Sequence, residues 1–146
     1  MPTGSGKTRT AMEVVSAVLN ESSAGEVVIW LAHSEELCEQ AYEGFCEIWQ
    51  HLGRHPMRIL RLWGPGKALP YDFDERALII GGFQKMYSML AVNGVPFQEL
   101  NRRAKLIVVD EAHKVIAPTY KEVTKALIGD GTAVIGLTAT DRKSVV

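Results

Sequence analysis

Met1-Pro2-Thr3-Gly4-Ser5-Gly6-Lys7-Thr8 is the stretch on which the reading of this chain turns. Gly4 and Gly6 allow a tight backbone turn, so that successive N–H groups converge into a concave nest. The apolar residues that follow, Ala11, Met12, Val14, Val15, Val18 and Leu19, have helical spacing. The nest is therefore expected at the positive end of a helix that begins near Lys7. In that setting the stretch reads as a phosphate-binding loop. Thr3, Gly4, Ser5, Gly6, Lys7 and Thr8 line the phosphates, Lys7 adds a full charge for the β- and γ-phosphates, and the Thr8 hydroxyl is placed to hold Mg²⁺. Met1 stands where the strict pattern has a small residue. The plainer alternative is a glycine-rich turn capping an ordinary helix, and a carboxylate partner elsewhere in the chain decides against it. Such a loop normally follows a buried strand that aims it. Only Met1 and Pro2 precede Thr3, so the expectation is an N-terminally shortened chain in which Met1 is internal to a longer protein.

Outward from the loop, apolar runs alternate with helical patterns. Val27-Val28-Ile29-Trp30-Leu31-Ala32 is continuous and apolar, as in a strand buried on both faces of a parallel sheet. Ser34 is a helix N-cap, with Glu35 and Glu36 favourable in the first turn. The helix runs to about Leu52 on the stripe Leu37, Ala41, Phe45, Ile48 and Leu52. Further strands are expected at Met57–Leu62, Ala77–Ile80, Lys105–Val109 and Thr132–Leu137. Short helices are expected at Gln84–Leu90 and Tyr120–Ile128, and Asn93-Gly94-Val95-Pro96 is read as loop. The alternation gives an α/β fold with a mostly parallel sheet flanked by helices. In such sheets ligands bind beyond the carboxyl ends of the strands. Polar or glycine-rich residues follow Ala32, Ile80, Val109 and Leu137, so all four punctuation points are expected on the edge that holds the phosphate loop.

Composition narrows the class. The 146 residues suit one domain, with 47% hydrophobic and 23% charged residues. A net charge of -1 gives no global field to attract nucleic acid, so any such contact must be local. No apolar run approaches the roughly 20 residues of a membrane span, and there is no signal peptide. Cys38 and Cys46 are the only cysteines, and as packing residues they suit a reducing cytoplasm. A zinc site from His33, Cys38, Cys46, His51 and His55 fits no common ligand spacing.

Asp110-Glu111-Ala112-His113 follows an apolar run directly. Asp110 is positioned to meet Mg²⁺ through water, and Glu111 to orient and deprotonate the water that attacks a γ-phosphate. Two acids capping a helix start are the bland alternative. A carboxylate at this strand end supplies the missing half of the metal site.

These residues together resemble motifs I, II and III of superfamily 2 helicases and translocases, with motif III at Thr138-Ala139-Thr140. Trp30 to Leu37, with Gln40, is similar to motif Ia, and Gly82-Phe83-Gln84-Lys85 to the motif Ib region. The order fits the first RecA-like lobe of a DEAH-type member and covers nearly the whole chain. The His-Ser-Glu-Glu-Leu form of motif Ia looks most like DNA-acting members, including repair helicases and the motor subunits of type III restriction enzymes. The resemblance implies ATP hydrolysis with Mg²⁺, coupled to movement on nucleic acid, with DNA the expected partner. It implies that Lys7, Asp110, Glu111 and His113 serve catalysis. It implies that His113, Thr138 and Thr140 couple the ATP site to nucleic acid, and that His33 and Ser34 touch its backbone. Helix capping competes for Ser34, and strand-end capping for Thr138 and Thr140. The family uses a second RecA-like lobe with an arginine finger and an adenine-reading segment, neither of which has a counterpart here.

Two other function classes fit the sequence less well. A small-molecule kinase would carry an arginine-bearing lid and an acceptor pocket, and neither is recognisable. A scaffold that binds nucleotide without turnover sits poorly with Glu111. Residues 1–140 are expected to form the partial lobe. Asp141-Arg142-Lys143-Ser144-Val145-Val146 replaces the family's usual proline-led continuation and can be read as a translated sequencing adapter, so 141–146 is expected to be a non-native tail.

Overall fold

Val27–Ala32 forms the central strand, β1, and all six of its residues are buried. The computed structural model describes residues 4–64, 74–90, 94–114 and 117–137. On one side β1 pairs with β3 (Ala77–Gly82), which pairs with β2 (Arg58–Leu62). On the other side it pairs with β4 (Ala104–Val109), which pairs with β5 (Ala133–Gly136). The sheet order is β2-β3-β1-β4-β5, and every pairing is parallel.

The two-residue period of β1 feeds two cores at once. Val28, Trp30 and Ala32 pack under α1 (Gly4–Glu21) and α2 (Glu35–Leu52), with Met12, Val15, Leu19, Cys38 and Phe45. Val27, Ile29 and Leu31 pack on the opposite face, against α3 (Phe83–Leu90), α4 (Gly94–Arg103) and α5 (Ala117–Leu127), with Met86, Leu100, Val123 and Leu127. Helices thus cover both faces of a parallel sheet, the α/β architecture expected of a RecA-like lobe. β5 is the last strand of the described sheet on its side, and Val134 is 38% exposed there.

Most element ends fall within one or two residues of the sequence reading, and three differences are larger. Helix α1 begins at Gly4, three residues before Lys7, so Gly4 to Gly6 form its first turn rather than a loop ahead of it. The positive-φ glycines among the described residues are Gly25, Gly64 and Gly131. Helix α4 replaces what was read as loop at Gly94–Pro96. Proline is tolerated in a first helical turn, where its missing N–H would have had no partner. Helix α4 is held by its far end, because Asn101 Nδ2 donates to Ala126 O and Ile128 O, both at 3.0 Å. That contact brings Asn101 O so close to Gly129 that a Cβ there would lie 2.5 Å away, which explains the glycine. Finally, α5 starts at Ala117 rather than Tyr120.

Candidate functional site

Because β1, β3 and β4 are parallel neighbours, His33-Ser34, Gly81-Gly82 and Asp110-Glu111 lie along one edge of the sheet. The start of α1 lies on the same edge. A cleft of about 340 Å³ is lined by Gly6, Lys7, Thr10, Ala11 and Val14 from α1 and by Ile135 and Leu137 from β5 and its end. The first turn of α1 carries no acidic residue, so nothing in that turn offsets the positive end of the helix dipole. Lys7 and Thr8 are partly buried beside it. Thr3, Thr138 and Thr140 lie outside the described residues, as does the tail 141–146, and Gly4 and Ser5 are described by their backbone alone.

Asp110 is only 7% exposed. It continues the alternation of Leu106 and Val108, which places it on the sheet face that carries α1 and α2. Its N–H donates to Leu31 O at 2.7 Å, which ties it to the end of β1. Burial pushes its carboxyl from 3.8 up to about 6, and the neighbouring Glu111 charge adds to the rise. The Glu111 backbone N–H and the Trp30 indole N–H oppose it. No salt bridge among the described residues reaches this carboxylate, so its burial is not offset there by a cation. Among the described residues no group of three His, Cys, Asp or Glu could cage a metal. A site with one carboxylate, a hydroxyl and substrate phosphates suits Mg²⁺, which keeps several waters and needs few protein ligands.

Glu111 has φ 52, the one non-glycine residue with positive φ among those described. Such a conformation costs of order 1–3 kcal/mol and persists where the surroundings hold it. The turn is held firmly. Ala112 N donates to Leu137 O at 3.0 Å, Leu137 N to Val109 O at 2.8 Å, and Lys114 N to Glu111 O at 2.9 Å. These bonds stitch the end of β5, just before Thr138, to the turn that carries Glu111. Glu111 Oε1 is buried with no hydrogen-bond partner among the described residues. It stands 3.4 Å from His113 Nε2, an ion pair only when His113 is protonated. The carboxylate is therefore held in place with an acceptor lone pair uncommitted.

Along the same edge His33 is exposed. Ser34 caps α2, its Oγ accepting from Leu37 N at 3.2 Å, with φ -139. Cys38, fully buried, has its thiol pushed up to about 12, first by burial and then by nearby carboxylates, Asp110 foremost. It is an inert packing residue. Two contributors were not legible in the sequence. Trp30 reaches Asp110 only because β4 is the neighbour of β1, and Leu137 meets Ala112 only because β5 follows β4.

The sequence profile of the family described as "Type III restriction enzyme, res subunit" matches residues 1–143. No curated protein sequence matches the chain. Among solved structures, the chain is similar to the UvsW helicase from bacteriophage T4, with a TM-score of 0.66 and 16% identity, over 98% of this chain and 46% of that one. It is also similar to a nuclease-deletion mutant of the Type ISP restriction-modification enzyme LlaGI, solved with a DNA substrate mimic. There the TM-score is 0.60 and the identity 16%, over 96% of this chain and 15% of that one. The chain thus spans less than half the length of either protein. At this identity the likeness concerns the fold alone, a parallel sheet covered by helices on both faces.

Proposed function

This chain belongs to the type III restriction enzyme res subunit family, and on that premise we propose that it is the ATP-binding lobe of an ATP-dependent DNA helicase or translocase. The observation that carries the reading is Asp110, a buried carboxylate at the end of a central parallel strand, on the face that bears α1 and with no ion-pair partner among the described residues.

The γ-phosphate of ATP meets the start of α1, where Thr3 to Thr8 supply backbone donors and Lys7 a full charge. Thr8 and Asp110 would hold Mg²⁺, which when bound neutralises charge on the phosphate oxygens. Glu111 orients a water in line with the γ-phosphate and accepts its proton, a task for which its uncommitted Oε1 is suited. His113 contacts Glu111 directly and, with Thr138 and Thr140, passes the state of the ATP site to nucleic acid. The stitching of Leu137 to Ala112 and Val109 supports that link, because it joins the two segments by backbone bonds. His33, exposed at the end of β1, contacts the sugar-phosphate backbone of DNA, while the Ser34 hydroxyl is engaged as a cap. Hydrolysis takes place against a second RecA-like lobe that supplies an arginine. Residues 1–140 form the partial lobe; the family match runs on to residue 143 and does not separate 141–143 from it.

The test is DNA-stimulated ATPase activity of the full-length parent protein. Glu111→Gln should keep ATP binding and lose turnover by about 100-fold or more, and Lys7→Ala should weaken both. Turnover equal to wild type in Glu111→Gln would remove the general-base assignment. ATPase activity indifferent to DNA would favour another class of nucleotide-binding protein.

A further inference from the structure

The Trp30 indole is 1% exposed, and its Nε1–H is buried with no hydrogen-bond partner among the described residues. Leaving an indole N–H unpaired in a core costs about 1–3 kcal/mol, so tryptophan is normally buried with that group satisfied. The register of the sheet shows where the donor belongs. Trp30 pairs with Val108 across β1 and β4, and Asp110 is the next residue on the same face of β4. The bond from Asp110 N to Leu31 O fixes that register up to the carboxylate itself. The indole N–H is near enough to Asp110 to favour its charged form, yet it does not close a hydrogen bond of normal geometry. The other donor near the carboxylate is the Glu111 backbone N–H.

We propose that Trp30 is a positioning residue for Asp110: its indole N–H takes one carboxylate oxygen when the site is loaded, leaving the other aimed at the metal-bound water. This rests on Asp110 serving the Mg²⁺ site. Three features carry it. A buried donor with no hydrogen-bond partner and a buried carboxylate with no ion-pair partner, both among the described residues, lie on one face of adjacent strands. A carboxylate can accept from the indole and still ligate through its second oxygen. Outer partners of this kind fix the orientation of a ligand, and their loss typically costs 10–100-fold in metal affinity. The polar N–H adds nothing to the packing of an apolar face, so packing alone does not call for it.

The experiment has two arms. In the full-length protein, the ¹H–¹⁵N indole resonance of Trp30, assigned by its loss in Trp30→Phe, is compared between the metal-free state and the state loaded with Mg²⁺ and a non-hydrolysable ATP analogue. It should move well beyond the resonances of Trp49 and Trp63, and a resonance that does not move would overturn the proposal. In the second arm, the Mg²⁺ dependence of ATP turnover is measured for Trp30→Phe and for a protein with benzothienylalanine incorporated at position 30, which keeps the bicyclic shape and lacks the N–H. Both should need about 10–100-fold more Mg²⁺ for half-maximal turnover, with KM for ATP at saturating Mg²⁺ nearly unchanged. An unchanged Mg²⁺ requirement in the benzothienyl protein, with Asp110→Ala inactive, would overturn the role of Trp30 and leave that of Asp110 standing. Turnover retained by Asp110→Ala would overturn both.

Discussion

Asp110→Asn should make the metal-free protein more stable at neutral pH, although it removes a residue assigned to the reaction. Burial and the Glu111 charge raise the Asp110 carboxyl from 3.8 to about 6. Between those pH values the folded chain keeps a proton that the unfolded chain has released. Stability therefore falls as pH rises from about 4 to about 6, and the loss is complete above that. A tenfold change in proton affinity is worth about 1.4 kcal/mol, so the ionised carboxylate costs the fold about 3 kcal/mol at most. Asparagine carries no charge but still buries an amide, which returns part of the gain. The expected net gain at pH 8 is about 1–2 kcal/mol, or roughly 2–8 °C in Tm for a domain of this size. The assay is urea unfolding of both proteins in EDTA at several pH values from 4 to 8. The variant should match wild type near pH 4 and exceed it progressively up to about pH 6. A gain independent of pH, or a variant less stable than wild type at pH 8, would refute the claim that this carboxylate is buried without compensation.

Other parts of the structure give sharper mechanical tests. Glu111→Gly should relieve the positive φ at residue 111, stabilising the fold by about 1 kcal/mol in thermal melts while abolishing turnover. Gly129→Ala would drive a Cβ to 2.5 Å from Asn101 O, and should cost about 1–3 kcal/mol in denaturant unfolding as α4 and α5 are forced apart. Ser34→Ala removes the cap on α2 and should cost about 1 kcal/mol of stability while leaving DNA affinity of the full-length protein unchanged, whereas His33→Ala should lower that affinity at little cost in stability.

The strands and most helices were legible in the chain because their residues state their own environment. The uninterrupted apolar run at Val27–Ala32 can only be a strand covered on both faces, and the stripe through Leu37, Ala41, Phe45 and Ile48 can only be a helix covered on one. The candidate phosphate-binding stretch, Asp110 and Glu111 stood out for a related reason, since the proposed chemistry requires particular residue types at particular strand ends. Helix α4 was not, because among its described side chains Leu100 is the one buried apolar anchor. Its stability comes from Asn101 reaching residues more than twenty positions away. The order of the strands was equally out of reach, because residues in β1 and β4 do not announce that they are neighbours. Only that order sets the Trp30 indole beside Asp110, and only the bonds from Leu137 to Val109 and Ala112 hold Glu111 in its strained turn. Local pattern thus determined which residues this protein brings to its site. Non-local pairing decided how they are held, because a hydrogen bond between distant segments depends on the path of the chain and leaves no periodic trace along it.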